Sequence, residues 1–272
     1  AEVPTVLELP EDHPRPPVWS GRGDHVVVGI SREVVERLES VARGARASLF
    51  QGLLAAHAGF VARLTSGDGV VIGTPILNRD RAEAAGVVGC LVNTLAVPVD
   101  LGGDPTLSEL LTRARDASVA SMGRSELPFE RLVEAVVVER DRSRPPLVQT
   151  VLSFAEFDLG ANFEGLAAEP WGIATATAKF ELTVELARKA EGLFGGFEFA
   201  SDLFERASVE RWARWFERFV GEMAEMATGN GDTRLSQVRL LSASEVGEAL
   251  FSGEKGTAAA GLAFSSVAAR GF

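Results

Sequence analysis

Tyrosine is absent from these 272 residues, cysteine occurs once and histidine three times. Each scarcity narrows the chemistry. The single Cys90 excludes an internal disulfide and a cysteine-rich metal site. His13, His25 and His57 stand far apart, and none falls in an H-E-x-x-H or paired-histidine spacing. There is no G-x-S-x-G elbow, P-loop or dinucleotide fingerprint. No apolar run reaches the roughly 18–20 residues of a membrane-spanning helix, and the first residues lack a signal-peptide pattern. A basic excess is missing too. The 27 Lys and Arg against 38 Asp and Glu leave a formal charge of −11, which argues against nucleic acid and anionic membranes as partners. Cytoplasm is the expected compartment. On motifs of this kind, the chain owns no recognisable active site.

What is present is an ordinary globular composition, 46% hydrophobic and 24% charged, able to bury a real core. Residues 1–23 hold Pro10, Pro14, Pro16 and Pro17, which suit an extended arm and no helix interior. A valine-rich strand is expected over His25–Ile30, then a helix from Ser31 to about Ala42. The capping box Ser48-x-x-Gln51 opens a second helix to about Leu64, and Thr106 with Glu109 opens another to about Met122. Strands are expected over Gly69–Leu77 and Gly89–Val99, with a loop at Asn78–Gly86 between them. Pro128 suits the first position of a helix running to Glu139. Further strands are expected over Val148–Phe154, Phe163–Glu169, Phe180–Ala187 and Leu193–Phe199. Trp212, Trp215, Phe216, Phe219, Val220, Met223 and Met226 form one apolar helical stripe, which reads as core. A short segment at Leu235–Leu241 and a weak helix at Ser244–Leu250 precede a small-residue tail.

Helices and strands alternate early and strands dominate late. The expected fold is an α/β (α+β) sandwich, a mixed sheet covered by helices. Residues 1–23 are assigned to an extended entry arm, 24–228 to the folded body (the lobe of the resemblance given below), and 229–272 to a linker or tail.

Four segments resemble, in order, the later motifs of condensation domains in nonribosomal peptide synthetases. Val71-Ile72-Gly73-Thr74-Pro75-Ile76-Leu77-Asn78-Arg79, then Val88-Gly89-Cys90-Leu91-Val92-Asn93-Thr94-Leu95, is similar to the family's G-T-P-x-x-x-R and G-x-F-V-N-T-L. Glu126-Leu127-Pro128-Phe129-Glu130 resembles the end of H-Q-D-x-P-F-E, and Arg140 through Leu147 resembles R-D-x-S-R-N-P-L. Ala178-Lys179-Phe180-Glu181-Leu182 with Ser201-Asp202-Leu203-Phe204 looks like the family's K-F-D-L and D-L-F. Leu9 through Pro16 is similar to the stretch where that chain enters its second lobe.

The resemblance implies a chloramphenicol-acetyltransferase-like lobe, the C-terminal, acceptor-side half of a domain that forms peptide bonds. The catalytic H-H-x-x-x-D-G motif belongs to the other half, so no catalytic or metal residue is expected here and the chain alone is expected to be inactive. No covalent cofactor is implied. The phosphopantetheine arms of carrier proteins enter as substrates. Implied partners are the N-terminal lobe, peptidyl or acyl carrier proteins and an adjacent adenylation domain. Arg79 would pair across the lobes with the motif's aspartate, or be a solvated arginine beside Asp80. Asn93 and Thr94 would line the tunnel or satisfy local backbone, and Lys179 is a further lining candidate. Pro128, Phe129 and Glu130 are expected to be structural, with Phe129 in the core. Arg140, Asp141 and Arg144 would make a buried network or a surface turn. Pro98 replaces an arginine frequent in the family, which removes any charge-based role there and suggests an edge or bulged strand. Cys90 is expected to be a buried small hydrophobe, and His57 a core or boundary residue. Arg206, Arg211, Arg214 and Arg218 mark a basic region that could receive an acidic carrier or be a solvated helix face. A non-catalytic docking domain for a carrier or tailoring enzyme is the competing reading. A stand-alone acyltransferase ranks last, for want of a placed histidine.

Overall fold

The computed structural model describes residues 5–79, 82–137, 141–156, 175–229, 233–242 and 244–245. Strand β1 (Gly23–Ser31) is followed by helices α1 (Arg32–Gly44) and α2 (Leu49–Thr65), then β2 (Gly69–Ile76). The short α3 (Ala82–Ala85) precedes β3 (Asn93–Asp100), α4 (Leu107–Met122) and α5 (Phe129–Val136). Strands β4 (Thr150–Ala155), β5 (Leu182–Lys189) and β6 (Gly192–Ala200) lead to α6 (Arg206–Gly229) and a 3-10 turn at Leu235–Gln237. The six strands form one mixed sheet in the order β1-β6-β5-β4-β2-β3. The β2–β4 and β4–β5 pairs are parallel and the others antiparallel. This is the helix-covered mixed sheet that the sequence predicts. The expected strand Phe163–Glu169, Arg140, the Met226 side chain and most of the 244–250 helix lie outside the described residues.

Helices α1, α2, α4 and α6 cover one face. Strand β1 turns Val26, Val28 and Ile30 into that core and leaves Val27 72% exposed, as a half-buried strand requires. Thirteen of the seventeen α2 residues are buried, so this helix is apolar on every side and sits at the centre of the layer. Its capping box forms as expected, with Ser48 Oγ accepting from the Gln51 N–H, and so does that of Thr106 and Glu109. Ser31 takes the N-cap position of α1 without a side-chain bond. The α6 stripe meets α2 in an aromatic cluster. Phe60 and Phe216 are edge to face at 5.3 Å, and Phe197 lies 5.5 Å from Phe216. Such pairs each add about 0.5–1.5 kcal/mol beyond burial.

The opposite face carries a smaller cluster of Val71, Val133, Leu147, Val148 and Val151, with α5 packed on it. Gly73, from the G-T-P segment, makes that packing possible. A Cβ there would meet Val148 Cγ1 at 2.7 Å and Val151 Cγ2 at 2.9 Å.

Several expectations are corrected. The strand predicted from Gly89 begins only at Asn93, and Cys90 is exposed, because residues 86–92 leave the sheet. Pro128 is the N-cap of α5, with ψ 139°, and not its first helical residue. Strands β4 and β5 each start two residues later than predicted.

The N-terminal arm and residues 233–242 both pack on the lobe. Leu7 and Leu9 are buried, and the Leu7 N–H donates to Gln149 Oε1 at 2.8 Å. Asp12 accepts from the Glu205 N–H and the Ser208 hydroxyl at the start of α6, both at 2.8 Å. Leu235, Val238 and Leu240 are buried, and Glu245 accepts from Trp215 Nε1 and Arg218. Each sheet edge carries one contact from a covering helix. On β1, the Gly29 N–H donates to Glu217 of α6 at 3.0 Å. On β3, Ser121 of α4 donates to the Ala96 carbonyl at 3.0 Å, and Pro98 lies on this edge strand, where its missing N–H costs nothing.

Candidate functional site

The motif residues of β2 and β3 converge at one end of the sheet. Beyond Ile76 the chain turns through Asn78, whose φ is +51°, and reaches Arg79. Its guanidinium donates to the carbonyls of Ala84 (2.9 Å), Val87 (2.8 Å) and Gly89 (2.8 Å). A planar fork with five donors can hold three backbone carbonyls at once, where an ammonium on a flexible stem cannot hold them in fixed directions. The loop it holds is apolar and faces out. Val88 is fully exposed, and Val87, Val92 and Leu77 are each about half exposed.

Asn93 stands where that loop rejoins the sheet. Its Nδ2 donates to the carbonyls of Ser125 (3.1 Å) and Leu127 (2.9 Å). Its Oδ1 accepts the N–H of Thr94 (2.9 Å) and of Phe129 (3.0 Å). The hydrogen-bonding capacity of the amide is filled by backbone, so Asn93 satisfies local structure and brings the start of α5 to the start of β3. Thr94 sits opposite Pro75 in the β2–β3 ladder and is half-buried. Pro128 and Glu130 are exposed, with Glu130 in the first turn of α5, where a carboxylate suits the helix dipole. Phe129 is partly buried against the smaller cluster, not in the main core.

The remaining candidates lie elsewhere. Lys179 is exposed just before β5, which β4 and β2 separate from β3. Nearby, burial raises the Glu198 carboxyl, and the Lys179 backbone N–H works against that rise. Arg144 bonds Asp141 (3.1 Å) and Glu8 of the arm (3.0 Å). Arg144 is mostly covered while both acids are more than half exposed, so this is a boundary network. The buried pair beside it joins Arg15 to Glu181 at 2.7 Å, with Glu11 on the other arginine nitrogen. Burial pushes the Glu181 carboxyl up, and the Arg15 guanidinium opposes that rise. Glu181 Oε2 is buried without a hydrogen-bond partner. Sequence reasoning missed this pair, although Arg15 and Glu181 each lie in a segment that carries the family resemblance.

The four α6 arginines are not a free basic surface. Arg206 pairs with Asp24 and Glu210, Arg218 with Glu245, and Arg211 bonds Ser208. Arg214 alone is exposed with no such bond among the described residues. His57 is fully buried, with Nε2 2.8 Å from Thr150 Oγ1 and no partner for Nδ1. Burial lowers its pKa to about 3, so the ring is neutral and sealed from substrate. Among the described residues no three His, Cys, Asp or Glu gather to hold a metal ion, and no helix is long and apolar enough to cross a membrane. What this arrangement offers chemically is shape, a held loop and a fixed helix start.

A six-stranded mixed sheet covered by helices, with these motif residues at one end, defines a chloramphenicol-acetyltransferase-like lobe. The condensation-domain profile matches residues 1–248, and the chain belongs to that family. It is 35% identical over 243 residues to a linear gramicidin synthase of Brevibacillus parabrevis, covering 88% of this chain and 5% of that protein. It is 39% identical over 213 residues to phosphinothricin tripeptide synthetase PhsB of Streptomyces viridochromogenes, covering 77% and 18%. Among solved structures, the X-domain from teicoplanin biosynthesis matches with a TM-score of 0.78 at 26% identity. That match covers 89% of this chain and 55% of the X-domain chain. The chain therefore spans a small part of its synthetase relatives and about half of that solved domain.

Proposed function

We propose that this chain is the acceptor-side half of a condensation domain that forms amide bonds between carrier-bound aminoacyl or peptidyl thioesters. The observation that carries the reading is a family match from residue 1 to 248 over a span of only about half a solved domain of the same fold. In the reaction, the acceptor amine attacks the thioester carbonyl, the C–N bond forms, and the C–S bond breaks to release a thiol. Aligning two tethered reactants contributes several kcal/mol toward lowering such a barrier. A lobe that shapes one wall of a tunnel needs no titrating base of its own, which suits the sealed, neutral His57. By the family resemblance, Arg79 would meet the aspartate of an H-H-x-x-x-D-G motif. Phosphopantetheine arms on carrier proteins would deliver the substrates, an adenylation domain would be a neighbour, and antibiotic-type peptide synthesis in the cytoplasm is the setting.

The test is complementation. Mixing this chain with a condensation half-domain that bears an intact H-H-x-x-x-D-G motif, plus loaded donor and acceptor carriers, yields peptidyl product on the acceptor carrier. Either half alone yields none. Product from this chain alone, or no product from a mixture whose halves co-elute, defeats the reading.

A second reading is favoured by one observation. At 27% identity and a TM-score of 0.78 the fold matches the X-domain solved in complex with OxyB from teicoplanin biosynthesis. On that reading the chain docks a carrier or tailoring enzyme and makes no bond. Stable binding of such an enzyme, with no product from the complemented domain, selects it.

A further inference from the structure

We propose that the open side of the sheet over β1, β6 and β5 binds an aliphatic ammonium ion. Glu185 and Glu198 would take the charge, and His25, Val27 and Phe194 the alkyl chain. The inference is independent of the half-domain reading above.

Strand register lays the site out. Val27 is 72% exposed and pairs with Gly196, which pairs on its other side with Glu185. In the next row His25, Glu198 and Thr183 stand side by side, and in the row beyond Val27, Gly29 faces Phe194. Residues in register share a face, so these side chains point away from α1, α2 and α6. On that side α5 packs over Val71, Val148 and Val151, at the other end of the sheet. Glycines shape the floor. A Cβ on Gly196 would stand 2.1 Å from His25 Nε2, so the imidazole lies over that residue. A Cβ on Gly29 would stand 3.7 Å from Phe194 Cε1, so the phenyl ring lies over that one. Glycine inside a strand often marks such a close approach.

The charge is one-sided. Among the described residues neither Glu185 nor Glu198 makes a salt bridge. Burial raises the Glu198 carboxyl and the Glu185 charge adds to that rise, against the Lys179 backbone N–H and weaker attraction from Lys179 and His25. A bound cation relieves this repulsion. An independent feature asks for a donor at the same place. Thr183, directly across from Glu198, is 5% exposed, and its hydroxyl is buried without a hydrogen-bond partner. Such a group is costly to leave unmet, and an ammonium N–H supplies the donor directly or through a water. No three His, Cys, Asp or Glu among the described residues gather to hold a metal ion. The fitting cation is therefore one that binds by hydrogen bonds and apolar contact. An ammonium brings three donors, its chain covers Val27 and the 40% exposed Phe194, and the ring face attracts the charge.

The probe is n-hexylammonium, titrated into the ¹⁵N-labelled full chain at neutral pH with backbone amide shifts as the readout. The amides of Val27, Glu185 and Gly196 shift and saturate, and neutral hexanol binds about tenfold more weakly. Glu185→Gln, at an exposed side chain, weakens hexylammonium about tenfold and leaves hexanol unchanged. Saturable shifts confined to other surfaces, or none at all, overturn the site. Equal binding of hexylammonium and hexanol, or a Glu185→Gln chain that binds hexylammonium like the wild type, overturns the role of the carboxylates. Unchanged affinity in Thr183→Val overturns the part given to the hydroxyl. Each of these failures leaves the half-domain reading to its own complementation test.

Discussion

The Phe129 N–H donates to the Asn93 side-chain oxygen at 3.0 Å, so the first residue of β3 sets the first residue of α5 across 36 positions of chain. The same amide holds the carbonyls of Ser125 and Leu127. One side chain thereby fixes the turn, the helix start and the strand start together.

Asn93→Ala removes all four bonds and leaves partly buried backbone groups unmet. It is expected to lower stability by about 2 kcal/mol. Asn93→Asp keeps the acceptor toward Phe129 and loses both donors, so it falls between. Urea unfolding orders the three proteins, and a wild-type-like Asn93→Ala contradicts the role.

His57 gives a pH dependence with a definite sign. Its folded pKa of about 3 lies below the ordinary 6.5, so the folded state resists protonation. The resulting stability is fully present above pH 6.5 and is lost as the pH falls below that value toward 3. The loss is about 1.4 kcal/mol per pH unit, or about 2 kcal/mol at pH 5. Replacing His57 by Leu together with Thr150 by Val removes that slope, which urea midpoints at pH 7 and pH 5 measure.

Glu245 titrates lower. Donors from Ser242, Trp215 and Arg218 outweigh burial and bring its pKa to about 2. A depressed carboxyl contributes stability above its ordinary 4.5 and loses it as the pH falls through 4.5 to about 2. The group is partly solvated, so Glu245→Gln at pH 7 costs about 1 kcal/mol after screening. Trp215, which donates its indole N–H to this carboxylate at 2.8 Å, reports the change by fluorescence.

The Arg15–Glu181 pair tests the arm. Removing one partner strands a buried charge, and Arg15→Met is expected to cost about 3–5 kcal/mol. The double variant Arg15→Met with Glu181→Leu recovers most of it. A double-mutant cycle in thermal unfolding decides the point, and simple additivity speaks against coupling.

Local signals in the sequence proved legible where the physics is local. The Ser48 and Thr106 capping boxes, the alternation of β1 and the α6 stripe each depend on neighbours within a few residues, and each forms. Gly89–Leu91 misled because valines and leucine beside glycine read as strand, while Arg79, ten residues upstream, takes the Gly89 carbonyl off the sheet. Cys90 went with it and is exposed. Asn93 could be singled out as a motif residue, but its four partners spread to position 129, beyond the reach of periodicity. Arg15 and Glu181 lie 166 residues apart and carry no spacing signal at all. Their contact exists only once the arm is laid on the sheet.

The helix contacts at the two sheet edges have one more consequence. Unpaired strand edges are templates on which a neighbouring chain can add a strand, and the hazard grows when similar sheets are held close together. Glu217 occupies a donor on one border and Ser121 an acceptor on the other, and each belongs to a helix already committed to the core. One main-chain group on each border is thereby taken by a side chain, which disfavours addition of a strand at that point. A neighbouring strand that adds at either of these points has to displace that side chain first.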